Sequence, residues 1–138
     1  MTFVGMNYLA VVVAALAGFG VGAVWYTVFG KAWLGALGKT EDDIKCGGGI
    51  ARTLPFVIAL VADLVMAIML AGLMGHLAGL SVKNGLISAL FVWVGFVITT
   101  MGVNHAFSGA KPSLTVIDGG HWLAVLLVMG AIIGAFGL

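Results

Sequence analysis

Four long apolar runs occupy nearly the whole of this chain, at about 8–29, 54–78, 85–107 and 113–138. A hydrocarbon layer about 30 Å thick is crossed by about 20 helical residues, so each run is long enough to span it. In that solvent every backbone N–H and C=O must be satisfied within its own segment, which leaves helices as the form these runs take. Hydrophobic residues make up 62% of the chain and charged residues 8%, far from the roughly 25% charge of a soluble domain. The prediction is an all-α polytopic membrane protein, a four-transmembrane-helix bundle forming one domain over 1–138, with a charged connector at 30–53.

The connectors carry the charge and set the orientation. Lys31, Lys39, Lys45 and Arg52 lie in the first and Lys111 in the third, whereas Lys83 is alone in the second. By the positive-inside rule the first and third connectors face the cytoplasm and both termini face outward. Thr40-Glu41-Asp42-Asp43 has the pattern of a helix start, with Thr40 as cap and acids in the first turn. A short interfacial helix around Trp33 to Leu37 is expected to be weakened by Gly35 and Gly38. Pro55 suits the first turn of the second helix. Lys111, Pro112 and Ser113 read as stop, breaker and N-cap before the fourth.

Ala15-Leu16-Ala17 imitates a signal-peptidase site, but no Lys or Arg precedes it and the apolar run continues to Phe29. It therefore reads as a retained first span. Cys46, the single cysteine, allows no intrachain disulfide and reads as a bystander thiol in an exposed connector. A net charge of +1 and the lack of any nucleic-acid module argue against a nucleic-acid partner.

Small residues recur every four positions at Ala14, Gly18 and Gly22, at Ala71, Gly75 and Gly79, and at Gly130 and Gly134. Such ladders let helices approach closely, either inside the bundle or against a partner subunit. Trp25, Trp33 and Trp122 fall near span ends, where amphipathic rings anchor a helix at the interface. Trp93 is deeper and reads as helix packing, and His76 as an interfacial residue.

Ionisable groups inside hydrocarbon are expensive, which singles out Asp63, Asp118 and His121. At about 1.5 Å per residue, Asp63 and His121 each lie roughly 12 Å below the same boundary. Asp118 and His121 are spaced i, i+3 and share a face of the fourth helix. Asn104 and His105 close the third span at that end, and Tyr26 closes the first. Three readings compete: a structural cluster of hydrogen-bonded, neutral groups, a proton or small-ligand site, and a metal or haem site. The last lacks HxxxH, CxxC or ExxH spacing on any helix. No GxSxG, P-loop or dinucleotide fingerprint occurs, so no catalytic residue and no cofactor is implied.

Met6-Asn7-Tyr8-Leu9-Ala10-Val11, Gly22-Ala23-Val24-Trp25-Tyr26, Phe29-Gly30-Lys31-Ala32-Trp33 and Thr40-Glu41-Asp42-Asp43 together resemble DUF1761, a bacterial family of small four-span membrane proteins of unknown function. Agreement continues more loosely through Phe96-Val97-Ile98-Thr99-Thr100, Asn104 and Ile117-Asp118-Gly119-Gly120-His121. Members commonly have Ser-Pro after Trp-Tyr, where Thr27-Val28 stands here, implying a straighter end to the first helix. The resemblance implies the topology and a bacterial inner membrane, and no activity.

The leading expectation is a non-enzymatic accessory or assembly subunit among other membrane subunits or in a homo-oligomer, with a photosynthetic or respiratory complex as a possible host. The second is a small proton- or cation-coupled transporter or channel subunit using Asp63, Asp118 and His121. A metal- or haem-dependent oxidoreductase comes third.

Overall fold

A computed structural model of the chain describes residues 3–45, 48–77 and 79–137. Cys46 and the expected span ends at Ala78 and Leu138 lie outside the described residues. The protein is all-α, with four segments long and apolar enough to cross a membrane. The first is α1 (Tyr8–Val28), entered through Asn7, whose side chain accepts from the Ala10 amide at 3.1 Å. Two short helices follow in the connector, α2 (Gly30–Leu37) and α3 (Glu41–Lys45). The second span is α4 (Ile50–His76). The third, Val82–Ser108, consists of α5 (Val82–Val92), a π-helical stretch (Trp93–Val97) and α6 (Ile98–Ser108). The fourth is α7 (Pro112–Phe136).

Several helix boundaries differ from the sequence expectation for identifiable reasons. α2 forms despite Gly35, and Gly38 ends it with φ of +68°, a left-handed conformation that glycine adopts without Cβ strain. α4 begins at Ile50, so Pro55 stands in the second turn and not the first. The carbonyl four residues back, on exposed Ala51, is the one that loses a helical donor. Ser113 lies inside the first turn of α7; Lys111 is the cap residue and Pro112 takes the first helical position, where its missing N–H removes nothing. The third span starts at Val82 because Ser81 caps it, accepting from the Asn84 amide at 3.2 Å.

Thr40 caps α3 as its sequence suggests. Its amide donates to Asp43 Oδ2 at 2.8 Å, and the Asp43 amide donates back to Thr40 Oγ1 at 3.4 Å, a reciprocal capping box. The hydrogen bonds from the Thr40 amide and hydroxyl hold the Asp43 carboxyl below its ordinary range.

α7 is the centre of the bundle. It packs along α5 on one side and α1 on the other, while α4 lies on α1 with lighter contacts to α5 and α7. Apolar burial gives little association energy in lipid, so close van der Waals packing must supply it. Where α5 crosses α7, Gly85 and Gly130 meet backbone to backbone, and a Cβ on either would strike the carbonyl of the other. One turn further along α7, Gly134 meets the Ser81 carbonyl and the Val82 amide in the same way. On the α1 side, Gly18 receives Met129 and Val125. Ala14, Gly18, Gly22, Gly130 and Gly134 thus all lie at helix contacts within the bundle or beside its core.

The third span meets α7 at both ends: Gly85 against Gly130, and Ile98 against Gly119. Between these contacts the π stretch widens the helix, and Trp93 within it donates Nε1–H to the Gly119 carbonyl at 2.8 Å.

Substitution Gly130→Ala should destabilise the fold by about 1–3 kcal/mol through overpacking, whereas Gly95→Ala, at a site open around its Cβ position, should stay within about 0.5 kcal/mol of the parent. Reversible unfolding in mild detergent, followed by circular dichroism, measures the difference.

Candidate functional site

The Ile117-Asp118-Gly119-Gly120-His121-Trp122 segment of α7 organises the polar half of the bundle. Its two glycines admit neighbours from both sides: a Cβ on Gly119 would meet Ile98 Cδ1 at 2.6 Å, and one on Gly120 would meet the Trp25 ring at 2.9 Å. Indole N–H groups from the two neighbouring helices then reach α7 carbonyls. Trp25 Nε1 donates to Ile117 O at 3.1 Å, matching the Trp93 bond to Gly119. These carbonyls already belong to helical ladders, so each indole adds a second donor and leaves no polar N–H in hydrocarbon. Trp25, expected as an interfacial anchor, therefore uses its polar edge on the protein itself.

Asp118 and His121 flank this contact. The Tyr26 hydroxyl donates to Asp118 Oδ1 at 2.6 Å, a short bond of the kind a carboxylate acceptor makes. The Tyr26 ring lies 5.0 Å from the His121 ring and 5.4 Å from Trp33 of α2. Trp122 closes the far side of the imidazole at 4.5 Å. His121 is 7% exposed, and its Nε2 comes within 3.0 Å of where a Gly22 Cβ would stand. Gly22 is thus small because an imidazole occupies the space beside it. The other ring nitrogen, Nδ1, is buried with no hydrogen-bond partner.

Asp63 is the most buried ionisable side chain described, at 3% exposure, and its Oδ1 is also without a partner. It shares a buried face of α4 with Ala67, Leu70, Ala71 and Met74. Ala10 and Ala71 line one recess at the opposite end of the bundle. Asp63 is eight residues from Ala71 and Gly18 eight from Ala10, which sets Asp63 level with Gly18, the residue facing Val125 and Met129 and one turn from the Gly22 that faces His121. Among the described residues no hydrogen bond joins Asp63 to His121 or Asp118, so direct pairing is not seen.

The remaining predicted residues divide. His105 is joined to the α7 surface, its Nδ1 lying 2.8 Å from Thr115 Oγ1, a partner that the sequence pattern does not single out. Asn104 is exposed and stands apart from the Tyr26–Asp118 pair. Thr115, Asp118 and His121 follow one another at three-residue steps on α7, a periodicity whose ionisable members are only the last two. Among the described residues no three His, Cys, Asp or Glu side chains converge as a metal-ligand group.

The DUF1761 family, described as a protein of unknown function, matches residues 9–134. The chain belongs to that family. The match runs through all four spans and covers every residue of the polar cluster. Neither the curated proteins nor the solved structures gave a significant match. What is established is a small four-span membrane protein of unknown function.

Removing the Tyr26 hydroxyl with Tyr26→Phe leaves Asp118 without its donor. The expected cost is about 1 kcal/mol, in the range of interhelical hydrogen bonds inside membranes. Detergent unfolding of Tyr26→Phe, Asp118→Asn and the double variant measures it, and a coupling between the two single changes identifies the bond as the cause.

Proposed function

We propose that this protein is a non-enzymatic, proton- or cation-coupled transporter or channel subunit of the bacterial inner membrane, with both termini periplasmic. The observation that carries this reading is the burial of Asp63 and His121 within the bundle, each with a polar atom lacking a hydrogen-bond partner. Structural polar groups in a bundle are ordinarily hydrogen-bonded, and an unsatisfied one is a cost that stability alone does not explain. Asp63 is the carrier in this scheme, and Asp118 and His121 are its partners. Four helices enclose a narrow interior, so the working unit is an oligomer. Vesicles reconstituted with the protein should show proton flux under an imposed gradient, and Asp63→Asn should abolish it while leaving the fold and assembly unchanged. Flux equal to that of the parent removes Asp63 from the carrier role.

A second reading, an accessory or assembly subunit of a larger membrane complex, has its own support. The ladders at Gly18, Gly22, Gly130 and Gly134 serve internal contacts, but the third span carries a different small-residue row, Gly95, Thr99, Gly102 and Ala106. Gly95 and Gly102 are open around their Cβ positions, and the Thr99 hydroxyl is turned back onto the Gly95 carbonyl at 2.9 Å. That face is free to receive another helix. Extraction in mild detergent should bring the chain out with larger partners, and Gly95→Leu combined with Gly102→Leu should release it. A monodisperse species of this chain alone counts against the reading.

A further inference from the structure

We propose that the recess between the end of α4 and the start of α5 seats one anionic glycerophospholipid, with its phosphate at Lys83, an ester carbonyl at Ser88 and the first methylenes of a chain on Met74. The recess lies at the end of the bundle opposite the first connector, and the proposal does not depend on the transport reading.

The turn between the two helices builds the recess. α4 ends at His76, Ser81 caps α5, and the two helices touch only lightly beyond that turn. The space left between them is about 140 Å³, lined by Met74, Leu77, Gly79, Asn84, Ile87 and Ser88. Met74 and Ser88 are buried and form its floor, while Leu77, Asn84 and Ile87 are exposed and form its rim. A cavity of about 150 Å³ holds a molecule the size of benzene. This one therefore takes an ester group and a few methylenes, and the remainder of the lipid lies along the outward faces of α4 and α5.

The floor carries the observation that points to a ligand. Ser88 is 7% exposed, lines the recess, and among the described residues its hydroxyl has no hydrogen-bond partner. Hydroxyls elsewhere in the spans turn back onto the carbonyl four residues earlier, as those of Thr27, Thr53, Thr99 and Thr100 do. That of Ser88 is left to donate into the recess. One turn away on the same face of α5, the Asn84 side chain is held in place. Its Nδ2 donates to the Gly79 carbonyl at 3.1 Å, and a Cβ on Gly79 would strike that nitrogen. Its Oδ1 accepts from no described residue and is available to a headgroup hydroxyl.

Position and charge select the ligand. Lys83 is exposed one turn before Ile87 on the same strip of α5. No Asp or Glu occurs before Glu41, between Asp63 and Asp118 or after Asp118, so no acidic side chain shares this end of the bundle with Lys83. The rise from Lys83 to Ser88 is roughly 7.5 Å. One interfacial layer between hydrocarbon and water is of the same thickness, roughly 5–8 Å. Over that distance a glycerophospholipid presents phosphate, glycerol, ester and chain in the order that Lys83, Asn84, Ser88 and Met74 require. A soluble phosphate matches Lys83 and leaves the apolar walls unused.

Native mass spectrometry of the full chain, released from micelles doped with phosphatidylglycerol or phosphatidylcholine, counts the lipids that stay bound. One phosphatidylglycerol per chain should be the last to leave, held about fivefold more tightly than phosphatidylcholine, which has no headgroup hydroxyl and no net charge. Lys83→Ala should remove that preference and Lys83→Arg restore it, a rescue that separates loss of the seat from loss of the fold. Ser88→Ala should weaken both lipids by about fivefold. Lys31→Ala, at the other end of the bundle, should change neither, and sn-glycerol 3-phosphate, which has no chains, should not bind. Retention unaltered by both Lys83→Ala and Ser88→Ala means surrounding lipid without a seat and overturns the proposal. So does a last-held lipid that Lys31→Ala releases, or glycerol phosphate binding as tightly as the lipid.

Discussion

Contact between helix backbones is the interaction on which the rest of this fold depends. Lipid tails solvate leucine as well as another leucine does, so the bundle gains little from hiding apolar side chains. What lipid cannot match is the fit of one helix surface on another at backbone range. The Gly85–Gly130 contact and the seat of Gly134 on Ser81 and Val82 bring α5 and α7 to that range, and Gly18 and Gly22 do the same for α1. Much of the outward surface, including Phe56, Phe91, Phe96 and Phe107, is left to the acyl chains.

The same close packing creates the polar site. Gly119 and Gly120 let Ile98 and Trp25 press onto α7, and the two indoles then find carbonyls to bond. His121 fills the notch at Gly22, and Asp118 meets Tyr26 at the next step toward the connectors. A larger residue at any of these glycines would separate helices at the level of the ionisable groups and admit lipid to them. Packing and polar chemistry are therefore one design: the small residues determine how deeply a charged group can be carried before it must find a partner.

Much of this is legible in the amino-acid sequence. Run length in hydrocarbon leaves one solution, so four spans are legible from the apolar runs at about 8–29, 54–78, 85–107 and 113–138, and the structure has four helices long and apolar enough to cross a membrane. The family resemblance carried by Trp25-Tyr26 and Phe29-Gly30-Lys31-Ala32-Trp33 is matched over most of the chain. The site is legible as a depth and not as a set of contacts. Residue spacing along one helix gives approximate height: the sequence sets Asp63 and His121 at one level, while in the structure Asp63 counts to the level of Gly18 and His121 stands beside Gly22, one turn away. Which flank of a helix meets which neighbour depends on twist accumulated elsewhere, here through the π turn at Trp93–Val97, and no local pattern announces it. Asn104 illustrates the result, since its depth resembles that of His105 but its flank is exposed. The early position of Ile50 relative to Pro55 is hidden for a different reason: a proline in the second turn removes one hydrogen bond at an exposed carbonyl, too small a loss to end a long helix.

Asp63 lies on the helix held most unevenly. α4 is packed along α1 but only lightly against α5 and α7, whereas α7 is gripped on both flanks. On the transport reading proposed above, a cycle would require the packing of Ala14, Ala67, Val125 and Met129 to yield. Displacing α7 would break the glycine contacts that hold the bundle together, while displacing α4 disturbs chiefly one interface. On that reading α4, which bears Asp63, would be the element to move, and α7, which bears Asp118 and His121, the one to stay.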